Sequence, residues 1–181
     1  MPPVPSPSFA SEAMHLLEPL YATAMRLTRN RADAEDLVQD TFVKALRFED
    51  RFAPGTNLKA WLFTILHNTW KNRLRGAARE PVDVDSERVE EASAQAGAGD
   101  SSAGVETPER ILLRATLDAD LQDALDGMPE AYRQAVWLRD VEEFSYAEIA
   151  GMLDVPVGTV MSRISRGRRM LAQKLRGATH G

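Results

Sequence analysis

The sequence contains no cysteine, which excludes a disulfide, a thiolate nucleophile and a cysteine-ligated metal site. Its three histidines, His15, His67 and His180, are scattered, and none has a ligand partner at helical spacing. No run is long and apolar enough to cross a membrane, and residues 1–13 lack the basic start and apolar core of a signal peptide. We therefore expect a cytoplasmic protein without membrane insertion, metal or cofactor. An enzyme is the least favoured class because no nucleophile–base or metal constellation is present.

Charge is distributed unevenly along the chain. The net charge is −5, yet residues 51–79 and 157–177 each hold six basic residues and no acid. Between them, residues 80–110 hold nine acids and two arginines. Electrostatic fields in solution act over a Debye length of ~8–10 Å, so the local balance decides what binds. Two basic blocks separated by an acidic one are compatible with a nucleic-acid partner despite the overall negative charge.

The clearest local pattern lies near the end of the chain. A short amphipathic segment, Ser145–Leu153, begins with Ser145 and Glu148 at capping-box spacing. A break at residues 154–156 follows, and Pro156 is suited to the first turn of a longer helix, Val157–Arg176. Two helices joined by a tight turn predict a helix-turn-helix.

A helical period divides the last helix into two sides. One side is apolar: Val157, Val160, Ile164, Leu171 and Leu175. The opposite side is polar and basic: Thr159, Ser162, Arg163, Arg166, Arg169 and Gln173. An ordinary solvated face usually mixes both signs of charge, so the pattern favours contact with phosphates and base edges. Arg168 falls on the apolar side, and the pattern does not account for it.

The first half of the chain predicts three helices. The first covers Glu12–Thr28, with Pro19 marking either its start or a kink, and the second runs from a cap at Asn30 or Asp33 to about Phe48. The third covers residues 58–75 and has two apolar stripes. One stripe consists of Leu58, Trp61, Leu62, Ile65 and Thr69, and the other of Phe63, Trp70 and Leu74. The remaining face consists of Thr64, Asn68, Lys71 and Arg75. Two stripes place this helix between two neighbours, or bring the second stripe to a ligand. We expect Trp61 in the core.

These patterns predict an all-α protein of two small helical bundles. Residues 1–11 are expected to form a disordered arm, 12–79 the first bundle, 80–107 a flexible acidic linker and 108–177 the second bundle. The second bundle is expected to begin with a helix from residues 107–109 to Leu125 and a further helix over Glu130–Arg139, ahead of the helix-turn-helix.

Three stretches resemble a known family. They are ADAEDLVQDTFVKAL, GTNLKAWLFTILHNTWKNRLR and MPEAYRQAVWLRDVEEFSYAEIAGMLDVPVGTVMSRISRGRRML, which resemble regions two and four of the extracytoplasmic-function (ECF) sigma factors of the sigma-70 family. The resemblance covers about residues 12–79 and 108–176. It implies a transcription-initiation subunit that binds core RNA polymerase, through the clamp of its largest subunit and the flap, and that recognises promoter DNA.

The resemblance also implies sites. Polymerase binding is carried over to Asp36, Gln39 and Asp40. Capture of the minus-ten element is carried over to Asn57, Lys59, Asn68, Lys71 and Arg75, with Asn68 reading a base edge. Recognition of the minus-thirty-five element is carried over to Thr159, Ser162, Arg163, Arg166 and Arg169. Met161 departs from the family, where arginine is common, and we expect it to pack at the edge of the apolar stripe.

Regulation follows from the same resemblance. The GTVMSR and GTNLKAWL stretches are similar to the redox-responsive branch, whose partners are zinc-binding anti-sigma proteins. An anti-sigma partner is expected, and without cysteine any thiol sensing belongs to that partner. We expect a monomer when free. Two alternatives are a freestanding helix-turn-helix regulator that binds an operator without polymerase, and a helical adaptor that binds only proteins.

Overall fold

The structure is a computed structural model, and it describes residues 8–78 and 119–178. In these two ranges all regular structure is helical and no strand occurs, which confirms the all-α prediction. The fold consists of two compact units, one built mainly from the first half of the chain and one mainly from the second. None of the helices in the described ranges is long and apolar enough to span a membrane. The predicted acidic linker, 80–107, lies outside the described residues.

The first unit contains four α-helices. They are α1 (Phe9–Met14), α2 (Leu17–Thr28), α3 (Arg31–Arg47) and α4 (Leu58–Ala78), with a 3-10 turn at Glu49–Arg51. The single helix predicted over Glu12–Thr28 is wrong, because the chain breaks after Met14 and a new helix begins at Leu17. Pro19 is the third residue of α2, where backbone N–H groups have no intrahelical acceptor, so its missing N–H is tolerated.

The first helix begins inside the segment predicted to form an N-terminal arm. Helix α1 begins at Phe9, inside the segment 1–11 that was expected to be disordered, and the Ser8 hydroxyl accepts a hydrogen bond from Ser11 N at 3.3 Å. The Phe9 ring lies 5.8 Å from the Trp61 ring, centroid to centroid, in an edge-on arrangement. An aromatic contact of this kind anchors α1 on α4. The prediction of an arm is therefore wrong for residues 9–11, and residues 1–7 lie outside the described chain.

A sharp corner joins α2 to α3. Arg29 ends α2 in the left-handed conformation at φ 54°, and the Asn30 side chain accepts a hydrogen bond from Asp33 N at 3.1 Å. Asn30, rather than Asp33, is thus the cap of α3, and it satisfies one of the N–H groups left open at the start of the helix. The two helices then pack side by side through Leu20, Ala24, Leu37 and Val38, all of them buried.

Helix α4 forms the centre of the first unit and contacts α1, α2 and α3. Eight successive residues, Ala60–His67, are buried, so more than two faces of its first half are covered. Trp61 is 1% exposed, which confirms its predicted place in the core. Thr64 does not lie on an open face as expected; it is buried, and its hydroxyl donates to Ala60 O at 2.8 Å. Leu74, predicted in the second apolar stripe, is 49% exposed.

The other four α-helices of the described chain belong mainly to the second unit, whereas Gly151–Asp154 group with the first unit. They are α5 (Ala119–Asp126), α6 (Glu130–Val136), α7 (Tyr146–Leu153) and α8 (Val157–Ala178), with a π-helical turn at Trp137–Val141. Its core includes buried Leu125, Met128 and Val136, with Leu121, Tyr132 and Leu171 packed against them. The α-helix predicted over Glu130–Arg139 therefore changes to π geometry after Val136. The predicted start at residues 107–109 lies outside the described residues.

The helix-turn-helix forms as its sequence indicates. Ser145 Oγ accepts from Glu148 N at 3.1 Å, and Glu148 Oε2 accepts from Ser145 N at 2.9 Å, which completes the capping box. Asp154 then takes the left-handed conformation at φ 57°, and Val155 N donates to Ala150 O at 3.1 Å. Pro156 stands immediately before α8 rather than within its first turn, and its carbonyl accepts from Val160 N at 3.1 Å.

Helix α8 approaches α6 closely at one glycine. A Cβ atom at Gly167 would lie 2.6 Å from Val136 Cγ2 and 3.2 Å from Met128 Cε. Only hydrogen fits there, because a carbon atom would overlap the Val136 methyl group. The pattern of basic residues in the sequence did not indicate this contact. The contact determines which side of α8 faces the core.

Candidate nucleic-acid interface

The polar face of α8 is open to solvent along most of its length. Ser162, Arg166, Arg169 and Gln173 are exposed, and Thr159 and Arg163 are half-buried. The Ser162 hydroxyl donates back to the helix, to Gly158 O at 3.1 Å or Thr159 O at 3.3 Å. Its oxygen lone pairs consequently point away from the helix and are available as acceptors. The exposed face thus offers cationic donors and a hydroxyl acceptor on one surface.

Three of the basic residues on α8 have structural partners. Arg168 Nε donates to Asp140 Oδ2 at 3.0 Å, and this hydrogen bond raises the pKa of the guanidinium. Lys174 Nζ donates to Gly127 O at 2.9 Å, and Arg176 Nε donates to Ala172 O at 3.3 Å. The pairing with Asp140 explains why Arg168 lies off the polar face. It holds α8 to the π turn.

The other three arginines of α8 are differently placed. Within the described ranges, Arg163, Arg166 and Arg169 form no ion pair with a carboxylate. Their charge is therefore not neutralised by a protein partner there, which is the condition for strong attraction to phosphates. These are three of the five residues predicted to contact the minus-thirty-five element, and the structure brings them together on one helix.

The apolar side of α8 is shorter than predicted. Val160 and Ile164 are buried and Leu171 and Leu175 are half-buried, but Val157 is 43% exposed. The contacts that hold α8 to α5 and α6 include Gly167 and Lys174, well beyond the first turn. Met161 does not pack at the edge of the apolar stripe as expected; it is 52% exposed.

The residues predicted for the minus-ten element lie on α4 or immediately before it. Asn68, Lys71 and Arg75 follow one another at helical spacing and form one row along the second half of α4. Asn57 and Lys59 stand about three turns earlier, roughly 15 Å along the helix axis. The structure therefore brings three of these five residues together and places two apart from them.

Asn57 and Lys59 both interact within the protein. Asn57 Oδ1 accepts from Ala60 N at 3.1 Å and so caps α4. Lys59 Nζ lies 5.7 Å from the centroid of the Phe63 ring, within cation–π range. Asn57 thus has a structural role that its place in the family pattern did not reveal, although an asparagine immediately before a helical run is a recognisable capping signal.

His67 precedes Asn68 on α4, and its side chain is buried. It is 2% exposed, and its Nε2 is a buried atom without a hydrogen-bond partner in the described structure. Burial, with a smaller effect of the Lys71 charge, lowers the pKa of His67 to about 4. The imidazole is therefore neutral at pH 7, and it adds no positive charge to the neighbouring basic row.

The residues predicted to bind polymerase lie on the outer side of α3. Asp36, Gln39 and Asp40 are all exposed. Asp40 forms an ion pair with Arg73 of α4, with 2.5 Å between Oδ2 and the guanidinium nitrogen. Two apolar side chains farther along α3, Val43 at 65% and Leu46 at 46% exposure, were missed by the sequence analysis. Helical spacing places Val43 on the same side of α3 as Asp36, Gln39 and Asp40, and burial of its exposed apolar surface would favour binding of a protein there.

Lys44 links α3 to α4. It is half-buried, and its Nζ donates to Thr69 Oγ1 of α4 at 3.1 Å. Burial lowers the pKa of this ammonium, with Asp40 opposing the shift. Lys44 therefore belongs to the contact between α3 and α4.

Comparison with known proteins identifies the family. Models of Sigma-70 region 2 and Sigma-70 region 4 match residues 13–80 and 118–171. The chain is 36% identical over 168 residues to the ECF RNA polymerase sigma-E factor of Haemophilus influenzae, covering 91% of this chain and 88% of that one. It belongs to the ECF sigma factors. This sigma factor is also 40% identical over 159 residues to the ECF RNA polymerase sigma factor SigE of Mycolicibacterium smegmatis, with 86% of this chain and 57% of that protein covered.

Solved structures show the same similarity. The sigma factor aligns with the sigma factor RpoE of Bartonella quintana, crystallised in complex with the anti-sigma factor NepR, with a TM-score of 0.66 and 34% identity over 93% of this chain and 96% of that chain. It aligns with CnrH, solved in complex with the cytosolic domain of CnrY, with a TM-score of 0.57 and 25% identity over 93% and 88% of the two chains. Family membership, predicted from the three sequence stretches, is confirmed.

Proposed function

We propose that this sigma factor binds core RNA polymerase, recognises the minus-thirty-five and minus-ten elements of a promoter, and supports promoter opening. The observation that carries the proposal is the exposed face of α8, on which Arg163, Arg166 and Arg169 stand without carboxylate partners in the described chain. A second polar row lies on α4 of the other unit. Two such surfaces suit two separate DNA elements.

Helix α8 is suited to duplex DNA. Its 22 residues give a rod about 33 Å long, and a B-DNA major groove about 12 Å wide admits a helix. Arginine donates two hydrogen bonds to the O6 and N7 atoms of guanine, and a hydroxyl serves several bases. Arg166 and Ser162 are placed for base contact, while Arg169, one turn farther along, suits a phosphate.

The row Asn68, Lys71 and Arg75 on α4 is suited to unpaired DNA. An amide side chain both donates and accepts hydrogen bonds, so Asn68 can read the edge of an extruded base. Basic residues beside it attract the phosphates of the same strand. Capture of an extruded base offsets part of the stacking free energy that opening the duplex costs, about a few kcal/mol. The polymerase supplies the chemistry.

The acidic face of α3 is suited to polymerase. Asp36, Gln39 and Asp40, extended by Val43, combine charge with an apolar contact. We place the polymerase clamp there. Anti-sigma control is supported by the two similar structures, whose solved complexes contain the anti-sigma factor NepR and the cytosolic domain of CnrY. Membership of the redox-responsive branch, the free monomeric state and a cytoplasmic location stay predictions.

The decisive experiment is transcription in vitro with core enzyme, followed by mapping of RNA start sites. The chain alone is expected to bind a duplex promoter fragment poorly in a gel shift, and to bind it well with core polymerase. Tight binding of a palindromic site by the chain alone would favour the freestanding regulator instead. Complex formation that does not respond to salt would favour the protein-only adaptor, because phosphate contacts make binding strongly salt-dependent.

A substitution on α8 tests the base-reading role. Arg166→Ala is expected to weaken promoter binding by roughly 1–3 kcal/mol and to relax base preference at one position of the upstream element. Arg176→Ala is the matched control, since Arg176 lies at the far end of α8 and bonds to Ala172 O. If Arg166→Ala lowers transcription equally from promoters with scrambled upstream elements, Arg166 does not read a base.

A further inference from the structure

Two apolar side chains are exposed at the start of α8. Val157 is 43% and Met161 is 52% exposed, and they lie four residues apart on the first two turns. Among the described residues of the second unit they are the only large hydrophobic side chains with this degree of exposure. Exposure of such groups costs free energy in water, which their burial in a complex would recover. We call this pair the Val157–Met161 patch.

Met161 lies between the apolar side of α8 and its exposed polar side, and Val157 lies about 40° farther toward the apolar side. At about 100° of rotation per residue, Met161 is followed around the helix by Ser165 and then by Ser162 and Arg166, all of them exposed. The buried side of the helix, at Val160, Ile164 and Gly167, lies on the other flank. Met161 therefore lies at the edge of the exposed surface that Ser165, Ser162 and Arg166 present to a duplex.

The surroundings of the patch favour DNA over protein. Residues 157–177 contain six basic residues and no acid, so the surface around the patch repels basic partners and attracts a polyanion. In the major groove only one of the four bases presents an apolar group, the C5-methyl group of thymine. The first residues of a recognition helix are those that reach base edges in helix-turn-helix proteins.

We propose that the Val157–Met161 patch selects thymine in the upstream promoter element by contact with its C5-methyl group. Met161 makes the main contact, because its long unbranched side chain adapts to the groove and its thioether is polarisable. Val157, one turn earlier and nearer the apolar side, borders this contact. This specificity rests on the proposed function, and it adds a preference that hydrogen bonds from Arg166 and Ser162 do not supply.

The test removes a single methyl group. Promoter fragments recovered by start-site mapping are prepared with each upstream thymine replaced in turn by deoxyuridine, which leaves every hydrogen-bonding group in place. Binding of the chain together with core polymerase is measured by titration. Because burial of one methyl-sized group is worth about 0.8 kcal/mol, one deoxyuridine position is expected to weaken binding roughly threefold to fivefold.

Variants assign that effect to Met161. In Met161→Ala the sensitive position should lose its response to deoxyuridine, and in Met161→Leu most of the response should remain. Met14→Ala is the matched control, because Met14 of α1 is 56% exposed and lies in the other unit. It should respond to deoxyuridine as the unaltered chain does.

Several outcomes would overturn the proposal. An upstream element without thymine, or one in which no deoxyuridine weakens binding, excludes methyl recognition. A loss in Met161→Ala that is equal on thymine and deoxyuridine templates shows that Met161 packs against protein in the complex. If no promoter complex forms on any template with core polymerase, the proposed function fails and this inference fails with it. A complex that forms normally but ignores deoxyuridine refutes the inference alone.

Discussion

The two units differ in how much of their longest helix they bury. Helix α4 buries eight successive residues, Ala60–His67, among α1, α2 and α3, whereas α8 leaves a polar face exposed over most of its 22 residues. Helix α4 therefore has only its ends available for a partner, and the candidate residues there lie at its start and in its second half. Helix α8 offers a continuous surface, which a DNA groove can follow.

This difference separates the two surfaces by mechanism. A helix whose first half is buried holds the residues of its exposed second half in fixed positions, which suits capture of a single extruded base. A helix packed along one side presents many residues in fixed order, as recognition of several base pairs requires. Under the proposed function, the first unit binds unpaired DNA and the second binds paired DNA. Stability measurements test the difference in burial on which this assignment depends.

The largest expected effect follows from truncating the centre of α4. Trp61→Ala should lower the free energy of unfolding of the first unit by about 3–5 kcal/mol, because the indole contacts Phe9 and Phe52 and is 1% exposed. Urea denaturation followed by circular dichroism measures this. Leu74→Ala, on the exposed end of the same helix, should change it by less than about 0.5 kcal/mol. Equal losses would mean that α4 is not the buried centre of the unit.

A smaller effect is expected where α8 meets α6. Gly167→Ala should destabilise the second unit by about 1–3 kcal/mol, since the new Cβ would lie 2.6 Å from Val136 Cγ2. Gly158→Ala on the same helix meets no atom within 4 Å and should be neutral or stabilising by up to about 1 kcal/mol. Urea denaturation followed by circular dichroism compares the two variants. A stable Gly167→Ala variant would contradict the close approach of α8 and α6.

Acid should destabilise the first unit through His67. Its folded pKa, about 4, lies below the ordinary value of 6.5, so the unfolded state takes up the proton first as the pH falls. The contribution of neutral His67 to the free energy of unfolding is complete above about pH 6.5 and is lost as the pH falls towards 4. Between pH 6.5 and 5 the free energy of unfolding decreases by roughly 2 kcal/mol. Denaturation at a series of pH values measures this slope.

Two histidine variants isolate that contribution. His67→Gln should flatten the dependence of unfolding free energy on pH between 6.5 and 5. His15→Gln, at an exposed position of the same unit, should leave it unchanged. A proton NMR titration in which the His67 ring becomes charged near pH 6.5 would contradict its enclosure in α4.

The smallest effect is expected at the surface of the second unit. Asp140→Asn breaks the pair with Arg168, whose two side chains are 36% and 51% exposed, and should cost less than about 1 kcal/mol. Asp123→Asn, at another exposed aspartate of this unit, is the control. Thermal denaturation at low and high salt measures both. A loss of several kcal/mol would show that α8 is held by this pair rather than by its packing.

The sequence was sufficient for features that depend on local signals. Helical periodicity, the Ser145–Glu148 capping box and the Asn30 cap all act within a few residues, and all are found in the structure. The break after Met14 was missed because Ser8 and Phe9 define α1 through a cap and a distant contact with Trp61. Periodicity cannot indicate such a partner.

The part of the candidate site that depends on spacing along one helix was predictable, and the part that depends on tertiary contacts was not. The polar face of α8 follows from spacing alone, since both sides of a helix are determined by the same period. The exposure of Val157 and Met161 depends on where α5 and α6 end along α8, which is a tertiary property. The place of Arg168 depends on Asp140, which lies 28 residues earlier. The assignment of residues to DNA elements stays a prediction from the family resemblance.

Gly167 and Arg168 are adjacent, and their contacts determine which side of α8 faces the rest of the unit. One permits contact with α6 because it has no side chain, and the other fastens the helix to the turn that follows α6. Both contacts lie apart from the outward positions 161, 162, 165 and 166. Under the proposed function, exchanging those four side chains is expected to change promoter preference while the packing of α8 stays the same.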